Sequence, residues 1–186
     1  MELLIIGLLL WSSVHFIPSI GISFKASLVA RLGEKPYAAT FALLIVLSLV
    51  LMVLGWRSTT PEYLYTLPAV AKPVALVLLV IAFFLLGAAN YVTRVKRFIR
   101  HPQLTGVATW AIAHLLINGD SRSVVLFGGL ALWAILEMIF INKREGQWIK
   151  PESPSWSQEI KGGLISLVVL AVVIFIHPYI AGVPVR

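Results

Sequence analysis

Residues 36–56 read PYAATFALLIVLSLVLMVLGW, a stretch without one charged side chain. At 1.5 Å per residue a helix of this length covers about 30 Å, the thickness of a bilayer's hydrocarbon core. A helix apolar on every side must be buried all round or stand in lipid. Residues 3–20, 70–92, 103–119, 122–142 and 162–182 repeat the pattern, so the chain is expected to cross the membrane about six times. The expected fold class is all-α, a polytopic transmembrane helical bundle forming one domain over residues 1–186. The first run opens with Met1-Glu2 and lacks a basic n-region, which reads as a retained span rather than a cleaved signal.

The remaining composition agrees. The chain is 59% hydrophobic and 12% charged, where soluble domains carry roughly 45–50% and about 25%. It has no cysteine, which excludes disulfides, thiolate metal sites, cysteine nucleophiles and covalent haem attachment through C-x-x-C-H. The net charge of +7 would point to nucleic acid in a soluble protein. Here the basic residues flank apolar runs, so the expected partner is the lipid bilayer and not nucleic acid. Lys25, Arg31, Lys35, Arg94, Lys96, Arg97, Arg100, Lys143, Arg144, Lys150 and Lys161 fall on one side. Arg57, Lys72, Arg122 and Arg186 fall on the other. The positive-inside rule then expects cytoplasmic basic loops and both termini outside the cytoplasm.

The connections are short. Asn118-Gly119-Asp120-Ser121 is a turn signal that expects spans four and five to pack as a hairpin. The longest connection, Lys143 to Lys161, is too short and proline-rich to fold alone, and is expected to lie at the interface with Trp148 and Trp156 as anchors.

Polar side chains inside a span are costly in hydrocarbon, so each is a candidate for an inward-facing role. Trp11, Ser12, His15 and Ser19 form one stripe on span one, and Trp110, His114 and Asn118 repeat the spacing on span four beside Thr105 and Thr109. A tryptophan one turn before an intramembrane histidine therefore occurs twice. Two such imidazoles match the axial ligands of a b-type haem held between helices. They equally match histidines that only hydrogen-bond to neighbouring backbone. His15 lies roughly 10 Å deeper than His114 by residue count, whereas His177 shares the depth of His114 and is an alternative ligand. His101, at the basic boundary before Pro102, is a further alternative ligand. Glu137, the one acidic residue well inside a span, is expected to pair with Arg97, Arg100 or His101. Gly87, Ala88, Ala89, Gly128 and Gly129 read as close helix packing.

The segment Arg100-His101-Pro102-Gln103-Leu104-Thr105-Gly106, the run Trp110-Ala111-Ile112-Ala113-His114 through Asn118-Gly119-Asp120, and Leu126-Phe127-Gly128-Gly129 resemble the NnrU family of bacterial membrane proteins. Val14-His15-Phe16-Ile17-Pro18, Arg31-Leu32-Gly33-Glu34-Lys35 and Phe175-Ile176-His177-Pro178 extend the resemblance over the whole chain. It implies a bacterial inner membrane location and a link to denitrification, through expression or activity of nitrite and nitric oxide reductases. A respiratory reductase is then the implied partner. A plant and cyanobacterial branch of the family is the 15-cis-zeta-carotene isomerase, a haem b enzyme acting on a polyene. Its haem-binding histidines match His15 and His114, which implies a haem pocket shaped by Trp11, Trp110 and Asn118. That branch carries a cysteine three residues before the second histidine, where this chain has Ala111. The Arg-His-Pro-x-x-x-Gly segment also resembles membrane methyltransferases that bind S-adenosylmethionine, with His101, Gly106 and Glu137 as the implied site.

Overall fold

Long runs of Leu, Ile and Val satisfy their backbone internally as helices, the form that hydrocarbon demands. A computed structural model describes residues 1–182. Its helices are α1 (Glu2–Ile20), α2 (Ile22–Leu32), α3 (Glu34–Ser58), α4 (Ala71–Ala88), α5 (Pro102–Leu115), α6 (Ser121–Glu145) and α7 (Trp156–Ala181). Five of them, α1, α3, α4, α6 and α7, are long and apolar enough to cross a membrane. With 14 residues, α5 is about 21 Å long and falls short alone. Its flanking residues complete the passage: Arg100 bonds to Gly146 and Glu145 at one face, and Gly119 accepts from Leu64 and Tyr65 at the other. The chain thus passes between two faces six times, as expected.

Three boundaries differ from the sequence reading. The fourth span stops at Leu115, four residues early, because a turn rather than a helix carries Leu116 to Asn118. The last helix starts at Trp156, where Ser155 and Gln158 form a capping box, so the long loop shrinks to residues 146–155. The stretch between the first two spans is not a loop but α2, ended by Gly33 at φ 87°, a left-handed conformation that glycine adopts without penalty. None of the α2 residues is buried, and Ile22 and Phe24 are exposed beside Lys25 and Arg31. These are the properties of a helix lying along an interface.

Small residues set the contacts. Backbones of α1 and α3 meet at Gly7 and Gly55: a Cβ on Gly55 would overlap the Leu4 backbone nitrogen, and one on Gly7 would lie 2.8 Å from Ser48 O and Met52 N. Gly106 lets α5 approach α4, where a Cβ would lie 3.0 Å from Ala82 O. Gly87 faces Ser166 of α7, and Gly129 faces Leu8 of α1, whereas Gly128 meets nothing. α5 packs against both α4 and α6, so the expected hairpin with α6 forms.

One face is clasped shut. The Met1 ammonium donates to Thr59 Oγ1 at 2.6 Å, and Arg57 reaches Tyr179 O, so α1 begins where α3 and α7 end. Residues 62–65 lie against the α5–α6 turn: Leu64 and Tyr65 donate to Gly119 O, Ser121 N donates to Glu62 O, and Tyr65 Oη donates to Leu115 O. Asp120 caps α6 by accepting from the Arg122 and Ser123 amides and the Ser123 hydroxyl. Arg122 stacks over Trp56 at 4.5 Å and donates to Trp56 O and Thr59 O. The opposite face gathers Arg94, Arg97, Arg100 and Arg144 with Glu145, Ser153 and Glu159.

Two outcomes are expected. Gly55→Ala should lower stability by about 1–3 kcal/mol, since the α1–α3 backbones must part; an unchanged thermal midpoint in micelles would contradict that approach. Burial raises the Asp120 carboxyl, but the Ser123 hydroxyl and amide and the Arg122 charge outweigh it and hold the group below its ordinary value. A depressed folded-state value stabilises above the ordinary one and is lost as pH falls through it, below about pH 4. Asp120→Asn should therefore flatten the fall in unfolding free energy between about pH 5 and 3.

Candidate functional site

The two Trp-x-x-x-His segments adopt one local geometry. In α1 the His15 Nδ1–H donates to Trp11 O at 2.9 Å, and in α5 the His114 Nδ1–H donates to Trp110 O at 2.9 Å. A carbonyl only accepts, so each neutral ring carries its lone pair on Nε2, the form in which imidazole binds a metal. Each ring also touches its tryptophan: the centroids are 4.2 Å apart for Trp11–His15 and 4.7 Å for Trp110–His114.

Partners from other helices complete two aromatic boxes. Trp133 lies 5.0 Å and Phe41 5.8 Å from His15, and Trp133 meets Trp11 edge-on at 5.4 Å. Phe127 stacks on His114 at 4.4 Å and 25°, with Trp110 5.0 Å and Trp56 6.1 Å from it. Phe127 sits in a π-helical turn, Val124–Gly128, of the kind often found at functional sites. Neither Phe127, Phe41 nor Trp133 was visible from spacing, because each arrives from a different helix.

The two histidines remain at different levels. Phe127 and Trp133, which touch them, are six residues apart on α6, or about 9 Å along its axis. Side chains lean toward the N-terminus of their helix. Because α1 and α5 are antiparallel, His15 and His114 lean along the bundle axis toward each other's level, with Trp11 and Trp110 at the levels between. These two tryptophans line one apolar cavity of about 350 Å³, to which α1, α3, α4, α5, α6 and α7 all contribute, including Met52, Phe83, Leu130 and Val173. The buried Nε1–H groups of Trp11 and Trp133 have no partner among the described residues.

The other candidates stand elsewhere. His177 comes within electrostatic range of His114 at the clasped face. Asn118 donates to the His114 carbonyl at 3.0 Å, closing the end of α5 rather than touching the imidazole. Thr105, Thr109 and Ser12 bond to the carbonyl four residues back in their own helices. His101 precedes α5 at the basic face, where Nε2 meets Asn142 Oδ1 at 2.9 Å. Gly106 is filled by α4, and Glu137 faces α1, so His101, Gly106 and Glu137 do not converge. Among the described residues no three His, Asp or Glu group as a metal centre.

The expected ion pair of Glu137 is not formed. Glu137 Oε1 accepts from Ser19 of α1 while Oε2 is buried without a partner among the described residues. Arg97 bonds to Ser153 and Arg100 to Glu145, and Arg144 supplies the nearest charge. The reason is rotational: Met138 and Asn142 face α5, which turns Glu137 toward α1. Glu137→Gln keeps an acceptor for Ser19 and should change stability by less than about 1 kcal/mol, while Ser19→Ala should cost about 1–3 kcal/mol. Denaturant titration in micelles distinguishes this from an ion pair, for which the glutamine would be the worse variant.

The model of the family described as NnrU protein matches residues 3–185. No curated protein and no solved structure matches the chain. With nearly every residue covered, and with six passages across a helical bundle, the chain belongs to the NnrU family.

Proposed function

We propose that this chain binds haem b in the membrane, with His15 and His114 as iron ligands, and that it serves denitrification through the expression or activity of a nitrite or nitric oxide reductase. The observation that carries the reading is the doubled geometry: two Nε2 lone pairs, each set by a backbone carbonyl bond at Nδ1, stand one turn from the two tryptophans that line one apolar cavity. The donor set fits a haem. With no cysteine, imidazole is the strongest protein ligand that remains, and the indole N–H groups near His15, without a partner among the described residues, are donors for a polar edge of a bound molecule. When bound, haem supplies a redox-active iron. The protein's own contribution is to fix the tautomers, exclude water through Trp11, Trp110, Trp133 and Phe127, and hold the ligands on separate helices.

Ala111 is fully buried against Phe127 and Ala131, so the sulfur of the isomerase branch has no counterpart beside His114. A redox or sensing role is therefore preferred to polyene isomerisation. The methyltransferase reading gains nothing from His101, Gly106 and Glu137, which stand apart. One observation favours a second ligand set: His177 is the imidazole in range of His114, at the same level. The basic face is taken as cytoplasmic, which places Met1 and the end of α7 outside it, in the inner membrane of a bacterium.

Full-length protein purified from haem-replete cells should be coloured. The Soret band should vanish in His15→Ala and His114→Ala and persist in His101→Ala. A band that survives His15→Ala and vanishes in His177→Ala would replace the first ligand pair by the second. Colourless protein would overturn both.

A further inference from the structure

Where α5 begins and α6 ends, an open cavity of about 440 Å³ is lined by Arg100, His101, Arg144, Glu145, Trp148 and Ile149, among others. It lies at the opposite end of the bundle from His114, so its argument is independent of haem. The Arg100 side chain is 17% exposed, and that of Arg144, at 31%, opens more to the surface. Both share one carboxylate: Arg100 Nη2 donates to Glu145 Oε2 at 3.2 Å, and Arg144 Nη2 to Oε1 at 2.9 Å. Their other bonds go to backbone, Arg100 to Gly146 O and Arg144 to Pro18 O. A guanidinium has five N–H donors, so both retain donors beyond these. Two cations against one anion leave the cavity positive.

Its rim is apolar. Ile149 is 88% exposed, Phe98, two residues before Arg100, is 82% exposed, and Lys150 stands 5.5 Å over the Trp148 ring. At the ends of membrane helices such side chains meet acyl chains and headgroups rather than water. A soluble anion would use the arginines and leave Ile149 bare. A zwitterionic headgroup would bring another cation beside two guanidiniums. We propose that this cavity binds an anionic phospholipid, its phosphate on Arg100 and Arg144 and its acyl chains against Ile141 and Ile149. Glu145 is the built-in competitor, holding both guanidiniums until a headgroup displaces it.

The test uses the full chain in detergent, titrated separately with phosphatidylglycerol, phosphatidylcholine and inorganic phosphate, with retained ligand read by native mass spectrometry. Phosphatidylglycerol should bind at least about fivefold tighter than phosphatidylcholine, about the worth of one interfacial arginine. Arg100→Gln with Arg144→Gln should abolish the preference. Glu145→Gln should sharpen it, an opposite change that a merely misfolded variant would not produce. Equal retention of the two lipids, preference surviving the double variant, or phosphate competing as well as the lipid would each overturn the proposal.

Discussion

Hydrocarbon supplies no hydrogen-bond partner, and the interior of this bundle is arranged around that constraint. Ser12, Thr105, Thr109, Ser166, His15 and His114 each spend a donor on the carbonyl one turn earlier in the same helix. Ser19 differs, reaching across to Glu137. Because these groups are satisfied within their helices, they contribute little to holding one helix to the next. Cohesion rests on shape: glycines where backbones meet, and aromatic rings where they diverge. The cavity between Trp11 and Trp110 lies where large rings replace small residues as the spacers.

The two ends of the bundle solve a different problem, since both meet water. One is closed by backbone pairing of residues 62–65 with the α5–α6 turn and by Arg122 over Trp56. The other is held by side chains: Arg94 stacks on Trp156 at 3.9 Å, and Thr93 and the Arg94 amide bond to Glu159. A backbone clasp is insensitive to side-chain identity except at Gly119, where a Cβ would strike Tyr65 O. The arginine face is open to competition from other anions.

What could be read beforehand follows from where the information resides. Six crossings are a property of composition, and the paired Trp-His stripes are a property of helical period, so both were legible. α2 was not, because Ile22, Phe24, Leu28 and Leu32 alternate with Lys25 and Arg31 in a segment that reads as a basic connection. The boxes around the histidines were not either, since nothing in one helix announces that Phe127 or Trp133 of another will face it. Glu137 shows the limit of reasoning from depth alone. Its level was right for Arg100, but the rotation of α6 was not encoded in the count of residues.

That rotation is broken at one place. The π-helical turn at Val124–Gly128 holds more backbone per turn than the α-helix on either side. α6 therefore carries its slack locally. One residue removed within the turn can heal into regular helix with both halves kept in position. The same removal farther along would swing Trp133, Glu137 and Arg144 through about 100°. Chain length along α6 is thus constrained almost everywhere except beside the ring that stacks on His114.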